Sequence, residues 1–206
     1  MNSGKPWVDL QSLIDLCWSN GIPVLHIPKL PTSSKMDAVA IEVAGRPVIF
    51  LTKNDKHESW LLFHLAHEIG HVIAGHLEGG DMLVDIKIDG SDTEEHEQEA
   101  NKIAFEIIIG SGPTNYGGET HGIKAIRLAE EALSQGKKDK VDPGHIILNW
   151  GYTTGIWGVA SGALNYIFPD PQWKSFFIEK LLNNLDEDTV SEDSLEYLYK
   201  LTCTDD

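Results

Sequence analysis

Cysteine is almost missing from this chain: Cys17 and Cys203 are the only two in 206 residues. That excludes a disulfide framework and points to a reducing compartment, the cytoplasm. Cys17 lies in an apolar helical pattern and is expected in the core; Cys203 near the terminus could be a metal or redox thiol. Basic residues are also scarce, with 16 Lys and Arg against 32 Asp and Glu and a formal charge of −16. Phosphate contacts need clustered cations, so no direct nucleic-acid binding is expected. An acidic surface suits solubility and a basic partner. No apolar run approaches the roughly 20 residues that span a bilayer, so no membrane segment is expected. The N-terminus lacks a basic segment followed by an apolar one, so neither is a secretory signal. What the chain does have is 41% hydrophobic residues, enough for a sizeable core in a single domain over residues 1–206.

The most informative stretch is Trp60 to His76, which contains His67-Glu68-Ile69-Gly70-His71, a His-Glu-x-x-His motif. Each residue turns an α-helix by about 100°, so His67 and His71 share a face one turn apart. Two imidazoles so placed can hold one Zn²⁺ at roughly 2.0–2.1 Å. Glu68 is rotated about 100° from His67, within reach of a metal-bound water as general base but not as a ligand. Chance alone yields the motif in roughly 3% of chains of this kind, so its context has to decide. Leu61, Leu62, Phe63, Leu65, Ala66, Ile69, Val72, Ile73 and Ala74 make the helix apolar nearly all round. Such a helix is buried, and an unpaired buried His-Glu-His cluster would be costly. The spacing favours a metal site.

A third ligand is expected from a second helix beginning near Ser91 or Asp92. Its apolar stripe is Ala100, Ile103, Ala104, Ile107 and Ile108, with Glu97 and Asn101 one turn apart at the edge. Glu97 can face the metal while Asn101 hydrogen-bonds a ligand histidine from behind. Glu99 is the alternative ligand; Glu94 and Glu95 read as solvated first-turn carboxylates. His64, about 60° round the helix from His67, could approach the metal, whereas His76, about 180° away, should not. A metzincin would need a glycine at 74 and a histidine at 77, where Ala74 and Leu77 stand.

These pieces resemble the ImmA/IrrE family of metallopeptidases. They are Asp37-Ala-Val-Ala-Ile-Glu-Val43, Pro47-Val-Ile-Phe-Leu51, Phe63-His-Leu-Ala-His-Glu-Ile-Gly-His71 and Glu97-Gln-Glu-Ala-Asn101. The resemblance covers about residues 10–112. It implies a zincin-type core, bound Zn²⁺ and regulated cleavage of a helix-turn-helix transcriptional repressor in bacterial stress, phage or mobile-element responses. His67, His71 and Glu97 fall on the family's metal ligands and Glu68 on its catalytic glutamate. Two departures stand out. Lys102-Ile-Ala-Phe105 and Ile107-Ile-Ile-Gly-Ser-Gly-Pro113 replace the family's usual Phe-Ala and Leu-Leu-Met-Pro. Many members also carry an N-terminal helix-turn-helix domain, for which this chain leaves no room.

The fold class expected is α+β: a small sheet beside the motif helix and the Glu97 helix (residues 6–112), then a helical extension (113–206). Residues 6–20 read as a helix stopped by Gly21, and residues 21–27 as a short strand in which His26 is structural. Ala38–Val43 and Val48–Leu51 read as a hairpin turning through residues 44–47. Asn54 or Asp55 is expected to cap the motif helix, with Asp55 to Glu58 as a capping box. Met82–Ile88 alternates and could be a strand beside the cleft, accepting substrate as an added strand. Helices are expected over 123–134, from Asp142, over 154–168, 173–185 and 191–201, with 135–140 a connector. Tyr116, His121, His145 and Tyr152 are candidate oxyanion donors, and nothing in the spacing selects one. The function expected is a zinc endopeptidase making limited cuts. A non-catalytic metal-containing module that sequesters a regulator, and a hydrolase of non-peptide amides, would keep the same ligands; the intact Glu68 favours catalysis.

Overall fold

The structure is a computed structural model, and it describes residues 4–28, 36–77, 92–110, 112–118, 122–170 and 172–202. The expected Met82–Ile88 strand, His121, Ser91 and Cys203 lie outside these residues. The architecture is α+β, with a small sheet and motif helix as a zincin-like core and a helical extension after it.

Helix α1 spans Leu10–Ser19 rather than starting at Pro6, because Asp9 caps it. The Asp9 carboxylate accepts from Ser12 N–H at 2.9 Å, and the Ser12 hydroxyl accepts from Asp9 N–H at 3.1 Å. Gly21, at φ 74°, ends the helix as expected. Strand β1, Val24–His26, then runs parallel to β3, Arg46–Leu51, while β2, Ala38–Val43, pairs antiparallel on β3's other side. The hairpin turn is shorter than the four residues expected. Ala44 and Gly45, both at positive φ, make a two-residue loop that matches strand twist, and Arg46 and Pro47 already belong to β3. Pro47 is tolerated there because β1 reaches only Ile49–Leu51, so no ladder bond from Pro47 to β1 is needed.

Helix α2, Glu58–Ile73, carries the motif. Its N-cap is His57, not Asn54 or Asp55. Asp55 instead accepts the His57 N–H at 2.9 Å, shaping the turn one step before the helix. Leu61, Leu62, Leu65 and Ala66 are buried against α1 and the sheet. On its other side α2 packs along α3, Asp92–Ile109, where Ala100, Ala104 and Ile108 are buried.

The extension contains α4 (Ala125–Asp139), α5 (Pro143–Thr154), α6 (Trp157–Ile167), α7 (Trp173–Asn184) and α8 (Glu192–Thr202). Helix α4 absorbs the connector expected at 135–140. Gly136 is the position that permits it, since a β-carbon there would meet the Val141 carbonyl at 2.6 Å. The helix expected over 154–168 begins at Trp157, because Gly155 at φ 73° closes the preceding helix at Thr154. Asp142 caps α5, accepting the His145 N–H at 3.0 Å, with Pro143 in the first turn. Gly144 lets α5 close on α2, because a β-carbon there would stand 1.8 Å from Ser59 Oγ. Helix α7 lies against β1, where His26 meets the Trp173 ring edge-on at 4.6 Å and bonds the Lys53 carbonyl at 3.1 Å. His26 is structural, as expected.

Candidate metal centre

The helical spacing puts His67 and His71 on one face of α2, and the α2–α3 contact decides what faces them. A β-carbon on Gly70 would lie 2.6 Å from the Ala100 carbonyl oxygen and 2.9 Å from its Cα, so the two backbones nearly touch. That approach brings Glu97, on the α3 turn before Ala100, over the two rings. His67 Nε2 and His71 Nε2 stand 3.0 Å apart. Glu97 Oε2 is 3.1 Å from the first and Glu97 Oε1 is 3.3 Å from the second. Atoms held tetrahedrally at about 2.1 Å from one ion lie roughly 3.4 Å from each other. Among the described residues this is the one cluster of three ligand-type side chains able to hold a metal ion.

The donor chemistry agrees with that geometry. His67 Nδ1 lies 3.1 Å from Asn101 Oδ1, as expected of Asn101. An amide oxygen can only accept, so the ring proton sits on Nδ1 and Nε2 is left as a lone pair facing the cluster. His71 is kept neutral, its pKa pushed down to about 4 by burial and then by the nearby His67, His76 and His96. A neutral imidazole is the form that binds metal.

Glu68 is buried on α2, with only 8% of its surface exposed. Burial pushes its carboxyl up to about 7; the Ala40 backbone N–H on β2 donates to it and opposes the rise, and the charge of Glu97 adds to it. A carboxyl so poised can take or give a proton near neutrality.

The remaining expectations divide. His64 turns away from the cluster to Asp37, 3.6 Å off, rather than approaching the metal position. Glu99 does not join the cluster and sits 3.3 Å from His76. His76 stays out of the ligand cluster, as expected, but it reaches the far side of a ligand ring, with Nδ1 3.0 Å from His71 Nδ1. The 180° projection assumed an unbroken helix, but α2 ends at Ile73 and Gly75, at φ 76°, turns the chain back. A glycine followed by histidine just past the helix was the signal. Of the oxyanion candidates, Tyr116 donates its hydroxyl to Asp139 at 3.3 Å and Tyr152 is 83% exposed. His145 is buried with Phe63 and Phe105 flanking its ring, and neither ring nitrogen has a partner.

Two histidines from one helix turn, a carboxylate from a crossing helix and a buried glutamate between them define a metallopeptidase-type site. Residues 17–113 match the IrrE N-terminal-like domain of peptidase family M78, the family that the motifs resemble. The matched stretch contains both α2 and all of α3. No curated protein and no solved structure matches the chain. No helix among the described residues is long and apolar enough to cross a membrane.

Proposed function

We propose that the chain is a zinc-dependent endopeptidase in which His67, His71 and Glu97 hold the ion and Glu68 is the general base. The observation that carries this is the convergence of three ligand atoms within hydrogen-bond range of one another, one residue along the helix from a buried carboxyl. Zinc held by His67, His71 and Glu97 would supply a Lewis acid for a peptide carbonyl and would make a water acidic enough to attack at neutral pH. Glu68 accepts the proton of the attacking water on its carboxylate and returns it to the leaving amine. Ala40 N–H holds that carboxylate in place from the outer strand of the sheet, since the strand order is β1-β3-β2. Asn101 keeps the His67 proton on the ring nitrogen away from the ion.

The substrate proposed is a protein cut at one or a few places: a basic, DNA-binding helix-turn-helix repressor in the cytoplasm of a bacterium. Two observations support it: the excess of 16 negative charges and the IrrE N-terminal-like domain. An extended linker, added as a strand beside the sheet, is the form in which such a site takes substrate. Incubating the zinc-loaded protein with the helix-turn-helix regulators encoded beside it tests the reading. A discrete cut that disappears with Glu68→Gln is expected. Intact regulators bound tightly but never cut would favour the sequestering module instead.

A further inference from the structure

The C-terminal end of α2 is built to return a third histidine to the site. His76 N–H donates to the His71 carbonyl at 3.0 Å and Gly75 N–H to the Val72 carbonyl at 3.3 Å. Those are the two bonds of a Schellman closure, with Gly75 supplying the left-handed residue at φ 76°. The closure lays the His76 ring against the last turn of α2. Its Nδ1 is 3.0 Å from His71 Nδ1, its Nε2 is 3.3 Å from Glu99 Oε2, and its face stacks on His96 at 4.0 Å. The ring has two polar neighbours, one on each nitrogen.

The proton positions along this chain follow from what each group can do. A histidine that offers Nε2 to a metal carries its proton on Nδ1 and must donate it. The partner of His71 Nδ1 is another imidazole nitrogen, so His76 Nδ1 has to be the bare, accepting one. The His76 proton then sits on Nε2, facing Glu99, whose ionised carboxylate only accepts. Each donor meets an acceptor in one direction: His71 to His76 to Glu99. We propose that His76 is a positioning residue of the metal centre, fixing the tautomer and ring orientation of His71, with Glu99 fixing His76 in turn. Asn101 does for His67 in one step what His76 and Glu99 do for His71 in two. The proposal rests on the zinc reading above, and it goes beyond it by giving the end of α2 and an exposed carboxylate a role in metal affinity.

The test measures zinc dissociation constants by competition with a chromophoric chelator, alongside the visible absorption of the cobalt-substituted protein. His76→Ala should weaken zinc about 10- to 100-fold and alter the cobalt spectrum. His76→Gln should recover most of the affinity, because its amide oxygen can accept from His71 and its NH₂ can donate to Glu99. Glu99→Ala, at an exposed position, should leave the fold intact and weaken zinc several-fold, which keeps the test open should His76→Ala fold poorly. Wild-type affinity and spectrum in both His76→Ala and Glu99→Ala would overturn the proposal, as would equal losses in His76→Ala and His76→Gln. His71→Ala and Glu97→Ala serve as controls: full zinc binding by those would bring down the metal site itself, a separate failure.

Discussion

Gly70 of α2 lies so close to Ala100 of α3 that a β-carbon on it would stand 2.6 Å from the Ala100 carbonyl oxygen. The glycine inside the His-Glu-x-x-His motif therefore sets the distance between the helix that carries His67 and His71 and the helix that carries Glu97. Gly70→Ala must push backbone against backbone, which neither side can relieve by a rotamer change. The variant should lose about 1–3 kcal/mol of stability. It should also bind zinc more weakly although no ligand has changed. Urea unfolding and chelator competition on one preparation check this. Unchanged zinc affinity would mean that the helix spacing does not limit the site.

Glu68→Gln should keep fold and zinc while turnover falls at least about 100-fold, the lower range for loss of a general base. The amide fills the same space but cannot accept a proton. Cleavage by the zinc-loaded variant at the wild-type rate would remove Glu68 from the mechanism.

His145 makes a prediction about acid stability. Its pKa is pushed down to about 4 by burial, from an ordinary 6.5. The folded state therefore holds it neutral while the unfolded chain takes up a proton below pH 6.5. Stability is lost as pH falls from 6.5 towards 4, by about 2 kcal/mol at pH 4.5. Asp142 works in the opposite direction, its carboxyl raised to about 7 by burial, so protonation between pH 7 and 4 favours the fold. Comparing wild type with His145→Phe isolates the histidine, because Asp142 is common to both. Denaturant unfolding of the two proteins in chelator, at pH 7.5 and 4.5, should show the gap between them shift in favour of the variant at low pH. A gap independent of pH would show that His145 is not held neutral.

With a net charge of −16, association with a basic repressor should slow as salt rises. Cuts should fall in an exposed linker. Casein should be a poor substrate by comparison. Rapid, unselective casein digestion with no salt-dependent attraction to basic regulators would point to a general peptidase.

Much of the site was legible because helix periodicity is a local property. Within α2 the turn of about 100° per residue settles that His67 and His71 share a face and that Glu68 does not. Within α3 the same rule pairs Glu97 with Asn101, and turn chemistry marked Gly21 and Asp142 as helix ends. Such facts depend only on near neighbours in the chain. The tertiary structure decided the rest. How close α3 comes to α2 is set by Gly70 against Ala100, across thirty positions of sequence. Whether His64 serves the metal or Asp37 depends on where β2 begins. His76 reaches His71 only because the helix ends first and a left-handed glycine reverses the chain, and a helical wheel has no term for that reversal. Periodicity determines which side chains share a face; only packing and chain reversal determine what meets that face.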